Sequence, residues 1–496
     1  MFERLRLGIA LPTILLLVVI VIATFLMPTT FVNILSQAQA WVLEYFDWLF
    51  DWTVFAMLIS CLLVYISPLG GKMIGGEDAQ PLLSKQKWFA IVLCTTIATG
   101  LLFWGCAEPL YHLHEAPYGA GYSAHEVSST AVLFMHWSWS PYAIYTLISL
   151  LFALLYYNQS GAYSVSSFIG AERSMAGYGI HYKLLDIICL MSLISGMAAS
   201  LGAGILTISG GIHQLAGVSE RPLLWGVIVL CIAGAFIISS ISGLQKGISR
   251  LSHLNTWLFV IFIICFCIGL GSFSLLGLAG QGAVEYIATF IPRSLASGGA
   301  AESWRHAWTT FYWANWMAWA PVTALFLGRL GRGYTVRTFI QVNLVYTSLF
   351  AMMWIIIFGG IALIRDVELG GSIYQLLLDE GPQSVIYFLL DELGYSSVGT
   401  LSLLLIVFIS YVTSADSNTT AMSAMCTKKI SPDAPEAPLG IKLICGLSIA
   451  LIAWVMISYA GIYGIRILSV LGGFPVLFLC IWVVISMMTQ VYRYRA

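Results

Sequence analysis

Long apolar runs broken by polar stretches recur along the whole chain, beginning near residues 8, 51, 87, 128, 184, 222, 254, 306, 338, 398, 439 and 465. Each run is long enough to cross about 30 Å of hydrocarbon as a helix, so the pattern predicts twelve membrane spans. The connecting stretches are modest except around 281–305 and 366–396. In the first of these, Val284, Tyr286, Ile287 and Phe290 follow an amphipathic spacing that suits a helix lying along the membrane surface.

Charge gives the pattern a direction. With both termini on the cytoplasmic side, the inner segments hold seventeen of the Lys and Arg residues; the outer ones keep only Arg221, Arg293, Arg305, Arg365 and Arg466. That asymmetry is the positive-inside bias of a multi-pass protein of the cell inner (plasma) membrane. Composition agrees, with 59% hydrophobic and 9% charged residues, far too apolar for a soluble fold. The net charge of −1 gives no reason to expect nucleic acid. Most of the ten cysteines lie in apolar runs, Cys61, Cys94, Cys189 and Cys231 among them, and are expected as free thiols. No Cys/His spacing predicts a transition-metal site. The first 28 residues read as a first span more than as a cleaved signal. No H-E-x-x-H, G-x-G-D or G-x-S-G motif is present, so the chain is not expected to be an enzyme.

Four stretches carry candidate chemistry. The first is Trp308 to Trp319, with four tryptophans and a tyrosine. At about 100° per residue, Trp313, Trp316 and Trp319 share one helical face. Indole faces attract substituted ammonium groups, and desolvated contacts of this kind are worth about 2 kcal/mol or more each. The same rings also suit a membrane-interface belt. In the third span, Cys94-Thr95-Thr96-Ile97-Ala98-Thr99-Gly100 is small and hydroxyl-rich, as in a broken transporter helix or a close helix contact. In the fourth, Trp137, Pro141 and Tyr145 fall on one face with a proline kink between the rings. His136 beside them reads as a hydrogen-bonded packing residue. In the tenth, Thr413 and Ser414 place two hydroxyls side by side near Asp416, whose carboxylate needs a polar partner or a role. These groups suit either an oxygen-lined cation site or bonds back to their own helix.

The run Trp308-Thr309-Thr310-Phe311-Tyr312-Trp313-Ala314-Asn315-Trp316, followed by Arg329-Leu330-Gly331-Arg332-Gly333-Tyr334, resembles the signature of the betaine/choline/carnitine transporter family. So do Phe103-Trp104-Gly105 with Glu108-Pro109-Leu110, His136-Trp137, Ser200-Leu201-Gly202, Gly243-Leu244-Gln245-Lys246-Gly247 and Thr413-Ser414-Ala415-Asp416-Ser417. The resemblance implies an all-α polytopic protein of LeuT-like fold, with two five-helix repeats of inverted topology in spans three to seven and eight to twelve. The expected parts are two leading spans (1–86), a first repeat (87–281), an outer linker with a surface helix (282–305) and a second repeat (306–496), together one transmembrane domain. It also implies a homotrimer.

By the same resemblance, the substrate site is an aromatic box of Trp137, Tyr142, Tyr145 and Trp316, flanked by Trp313 and Trp319. Asn315 stands where the family usually has a second Trp of a pair, so a smaller substrate or one with an added polar group is a further option. Sodium, the expected coupling ion, would meet Thr96, Ile97, Ser410, Thr413 and Ser414, although Thr96 to Gly100 departs from the family's glycine-rich pattern. The expected activity is secondary active uptake of a quaternary ammonium or related onium compound. The alternatives are sodium-independent exchange and carriage of a sulfonium or smaller methylamine compound.

Overall fold

The structure, a computed structural model, describes residues 5–97, 100–117, 125–159, 161–172, 179–242, 249–270, 273–295, 301–428, 430 and 439–495. Among these residues the regular structure is helical, with only isolated β-bridges besides. The first half contains α1 (Leu7–Leu26), α2 (Pro28–Ile66), α3 (Lys85–Ile97), α4 (Gly100–Glu115), α5 (His125–Trp137), α6 (Trp139–Ala153), α7 (Ile180–Ala216), α8 (Pro222–Ser242) and α9 (Ser249–Leu270). A helix of its own, α10 (Phe273–Leu295), precedes α11 (Glu302–Arg305) and the Trp-rich α12 (Phe311–Leu330). The rest comprises α13 (Val336–Ile340), α14 (Thr347–Glu368), α15 (Ser372–Glu380), α16 (Gln383–Glu392), α17 (Ser396–Met425) and α18 (Leu439–Arg495).

Nine described helical stretches are long and apolar enough to cross a membrane, and the bent pair α3–α4 makes a tenth. They do not match the expected runs one for one. The 57-residue α18 covers two of them and is interrupted at Gly461, whose backbone is non-helical (φ 55, ψ −146). α2 begins at Pro28, well before the run at 51, because Gln37, Gln39 and Glu44 lower the hydropathy of its first turns without stopping the helix. Its 39 residues amount to about 58 Å at 1.5 Å per residue, more than the hydrocarbon is thick. α12 falls outside the apolar set and is surrounded by other helices. Nearly all of its residues are buried, and at Gly473 of α18 an added Cβ would lie 2.0 Å from the Ala314 carbonyl oxygen.

The two interrupted spans have identifiable causes. α3 and α4 are bent by 59° across residues 98–99, which lie outside the described residues. In the fourth span the break falls at Ser138 (φ −120, ψ −115), three residues before Pro141, not at the proline itself. Proline has no N–H for the Trp137 carbonyl and its ring crowds that turn, so the distortion appears one turn earlier. α10 is amphipathic as its spacing predicts: Tyr286 and Glu285 are buried against α5, while Val284, Ile287 and Ile291 are exposed. It starts nine residues ahead of the expected boundary at 282 and so runs across it.

Segment ends gather in two sets. At one, Lys72 lies over Tyr494, Arg332 over Tyr157 and Arg329 over Tyr163, at 5.2, 5.8 and 5.8 Å. Arg337 there bonds the Tyr65 and Ser67 carbonyls at 2.9 and 3.2 Å, a cation satisfying the acceptors at the end of α2. At the other, Asp366 meets His114 (2.6 Å), Tyr374 donates to Glu115 (2.8 Å), and Arg365 pairs with Glu368 and Glu392.

α2 is fastened to the start of the Trp-rich segment by buried charge. Arg305 bonds Asp51 and reaches Asp47 at 3.3 Å, while the Trp313 indole donates to the second Asp51 oxygen at 2.9 Å. Arg305→Ala strands two buried carboxylates and is expected to cost about 3–5 kcal/mol. Thermal unfolding of the purified protein should show the loss, and Asp47→Asn, which removes only the longer contact, should cost less.

Candidate functional site

Trp316 is the centre of an aromatic cluster contributed by three helices. Its ring centroid lies 5.6 Å from that of Trp137 at the end of α5, and 5.6 and 5.4 Å from those of Tyr142 and Tyr145 on α6. The contacts with Trp137 and Tyr145 are edge-to-face, the arrangement that ring quadrupoles favour. The break at Ser138 lets Trp137 and Tyr142 face the same ring although they sit on separate helices. The Trp316 Nε1–H is buried and has no acceptor among the described residues.

Beside this cluster is a cavity of about 50 Å³, whose lining includes Gly100, Trp137, Tyr145, Asn315, Trp316 and Trp319. It is small because the rings pack on one another. A quaternary ammonium in contact with each ring would need them farther apart than they stand here. Trp319 is held against α7, where Gly196 leaves it room: an added Cβ would lie 2.7 Å from its Cδ1. Asn315 also lines the cavity, and its amide oxygen accepts from Ser469 of α18 at 2.8 Å.

Although helical spacing puts Trp313 near the face of Trp316, its indole points to Asp51 on α2, and neither Trp313 nor Tyr142 is in the cavity lining. Period fixes direction around a helix axis but not which neighbour lies there. A turn of π-helix at His306–Thr310 precedes α12 and also shifts Trp308 relative to the later tryptophans.

The proposed ion residues are brought near one another in part. Ser414 Oγ donates to the Thr95 carbonyl at 3.3 Å and so joins α17 to the end of α3. Thr413 Oγ1 donates to Ile409 and Ser410 carbonyls of its own helix at 2.9 and 3.0 Å. Ser410 Oγ accepts from Asn255 of α9 at 2.8 Å, and Thr96 Oγ1 donates to Val92 at 2.9 Å. Ile97 ends α3, and its side chain lies outside the described residues, as do Ala98 and Thr99. Asp416 finds a partner in Lys442 of α18 at 2.6 Å and accepts from Ser239 at 2.6 Å.

The residue that sequence reasoning left without a role is Glu108. Fully buried on α4, it accepts at Oε2 from the Trp137 indole and the Tyr312 hydroxyl, both at 2.6 Å. At Oε1 it meets His136 Nδ1 at 2.8 Å and His112 Nε2 at 2.9 Å. An ionised carboxylate has acceptor sites for all four donors. His136 also meets Thr309 at 3.0 Å through Nε2, which fits its reading as a hydrogen-bonded packing residue. Glu108, His112 and His136 have metal-like spacing, with ligand atoms within 4.8 Å of one another, but here they satisfy one another as hydrogen bonds. The signal available in the sequence was a carboxylate inside an apolar run.

A profile of the betaine/carnitine/choline transporter family matches residues 8–496. The chain belongs to that family. A glycine betaine transporter of Vibrio parahaemolyticus is 29% identical over 77% of this chain and 73% of its own. A probable glycine betaine transporter of Desulfitobacterium hafniense is 28% identical over 90% of each chain. An ectoine/hydroxyectoine transporter of Virgibacillus pantothenticus is 27% identical over 92% of this chain and 91% of its own. This betaine/carnitine/choline-family protein is therefore a membrane transporter and not an enzyme.

Within this family member, Glu108 holds the Trp137 and Tyr312 rings in place. Glu108→Leu orphans the Trp137 and Tyr312 donors and is expected to cost roughly 1–3 kcal/mol for each. Glu108→Gln should cost less, because its oxygen can keep Trp137 while both imidazoles change tautomer to accept from its amide. Thermal unfolding of the two variants side by side checks the order.

Proposed function

We propose that this transporter takes up a quaternary ammonium or related onium compound of the betaine, choline or carnitine type by secondary active, sodium-coupled alternating access. The observation that carries the reading is the meeting of Trp137, Tyr142 and Tyr145 around Trp316 at 5.4–5.6 Å. Faces of indole and phenol supply attraction to a large, weakly hydrated cation without a formal counter-charge. The Glu108 carboxylate, bonded to two of the nearby rings, adds a negative potential on the same side. The names of the relatives support the substrate class, since glycine betaine, ectoine and choline recur in them.

Sodium coupling rests on Thr413 and Ser414. Each hydroxyl donates its proton to a backbone carbonyl, which leaves its oxygen lone pairs free for a cation. α3 and α4 are bent by 59° beside them, and broken helices in transporters offer carbonyls to ions. In this reading the Lys- and Arg-rich end of the helical layer is cytoplasmic, with both termini there, and the membrane is the cell inner membrane. The assembly is a homotrimer with an inverted pair of five-helix repeats, as the family resemblance implies.

Intrinsic tryptophan fluorescence of the purified protein, titrated with methylated onium compounds with and without sodium, tests the whole reading. Trp316→Ala is expected to weaken onium binding by about 2 kcal/mol or more, or about thirtyfold. Trp313→Phe, turned toward α2, should do much less, and equal small effects would show that the aromatic face binds nothing.

Thr413→Ala is expected to raise the sodium concentration for half-maximal uptake in proteoliposomes while leaving folding intact. Because linkage is reciprocal, the variant should also weaken the effect of sodium on substrate binding by the same factor. Wild-type uptake that proceeds equally without sodium would favour the exchanger instead.

A further inference from the structure

Arg466 of α18 is a cation without an anion. Its guanidinium lies over three aromatic rings, 4.7 Å from the centroid of Trp308 and 5.6 Å from those of Trp104 and Phe311. Its Nε is buried with no hydrogen-bond partner, and among the described residues no carboxylate comes within ion-pair distance. The acidic groups that act on it from farther away are Glu108 and Glu115, both on α4. Glu108 already has its four donors and Glu115 accepts from Tyr374.

This guanidinium packs behind two rings of the cavity wall. Trp104 and Phe311, which it covers, line the cavity, as does Ile465, the residue before it. Trp316 lines the same cavity. A carboxylate bound against its Trp104 and Phe311 wall would lie beside the guanidinium that covers both rings.

We propose that Arg466 is a specificity-determining residue that binds the carboxylate of the substrate, so that the transporter selects zwitterionic onium carboxylates over onium compounds lacking an acid group. The proposal rests on the aromatic-box reading and adds its second pole. Glu108 supplies negative potential near one part of the site and Arg466 positive potential near another. A ligand carrying both charges complements both. A purely cationic ligand meets an uncompensated guanidinium, an unpaired like charge of the kind that enforces specificity.

Glycine betaine and choline test this, because they share a trimethylammonium group and differ in a carboxylate against a hydroxymethyl group. Both are titrated against the purified full-length protein by tryptophan fluorescence. Wild type is expected to bind glycine betaine more tightly than choline. Arg466→Gln is expected to weaken glycine betaine about tenfold to a hundredfold, the scale of a charged hydrogen bond, and to leave choline unchanged or tighter. Arg466→Lys should retain part of the preference.

Equal losses for both ligands in Arg466→Gln, or a wild-type preference for choline, would overturn the proposal. The ligand comparison on wild type needs no variant, so misfolding of Arg466→Gln does not remove the test. If Trp316→Ala leaves both affinities intact while Arg466→Gln still discriminates, it is the aromatic box that fails and the carboxylate site that stands. Binding of neither ligand to wild type would overturn both.

Discussion

A buried carboxylate must have its acceptors filled, and Glu108 satisfies that demand by drawing three helices together. Its donors come from α4 itself, from α5 and from α12. Once the Trp137 indole is tied down by its Nε1, its ring orientation is set, and Trp316 packs against it. Tyr312 is fixed in the same way and stacks on His136 at 4.9 Å. The Trp137 ring of the cluster is thus positioned by a polar bond at its back, while its other side packs on Trp316. Supporting groups of this kind give a site its precision.

Much of the architecture was legible from hydropathy because a membrane leaves a chain few choices: backbone groups must be satisfied internally, so apolar runs become helices. The run near residue 306 anticipates α12, the helix that carries Trp316, although its neighbours wall it in and it is less apolar than the other spans. The long α2 was under-read because polar residues in its first half lower local hydropathy without ending a helix. Gly461 marks the interruption in α18, but which glycine breaks a helix is decided by its surroundings, not by its identity.

For the site, the helical period and the family motifs together brought Trp137, Tyr145 and Trp316 to one place. Trp313 escaped that reasoning because Asp51, far away in sequence, competes for its N–H. Glu108 and Arg466 were visible as residues but not as partners. Their meaning lies in what surrounds them, four donors in one case and three aromatic faces in the other, and such convergence has no signature in linear spacing. The tenth-span hydroxyls show the converse: Thr413 and Ser414 were easy to single out, yet both already donate to backbone carbonyls.

The rings of the box stack on one another and leave a cavity of only about 50 Å³. In the proposed alternating-access reading, rings packed this closely would insulate the membrane between turnovers, because a dewetted constriction is a barrier to ions and protons. Solute would enter only when the rings part, so the apparent affinity would be the intrinsic one scaled by the fraction of time the cluster is open. A substitution that props the rings apart would then raise affinity and, in the same stroke, short-circuit the gradient.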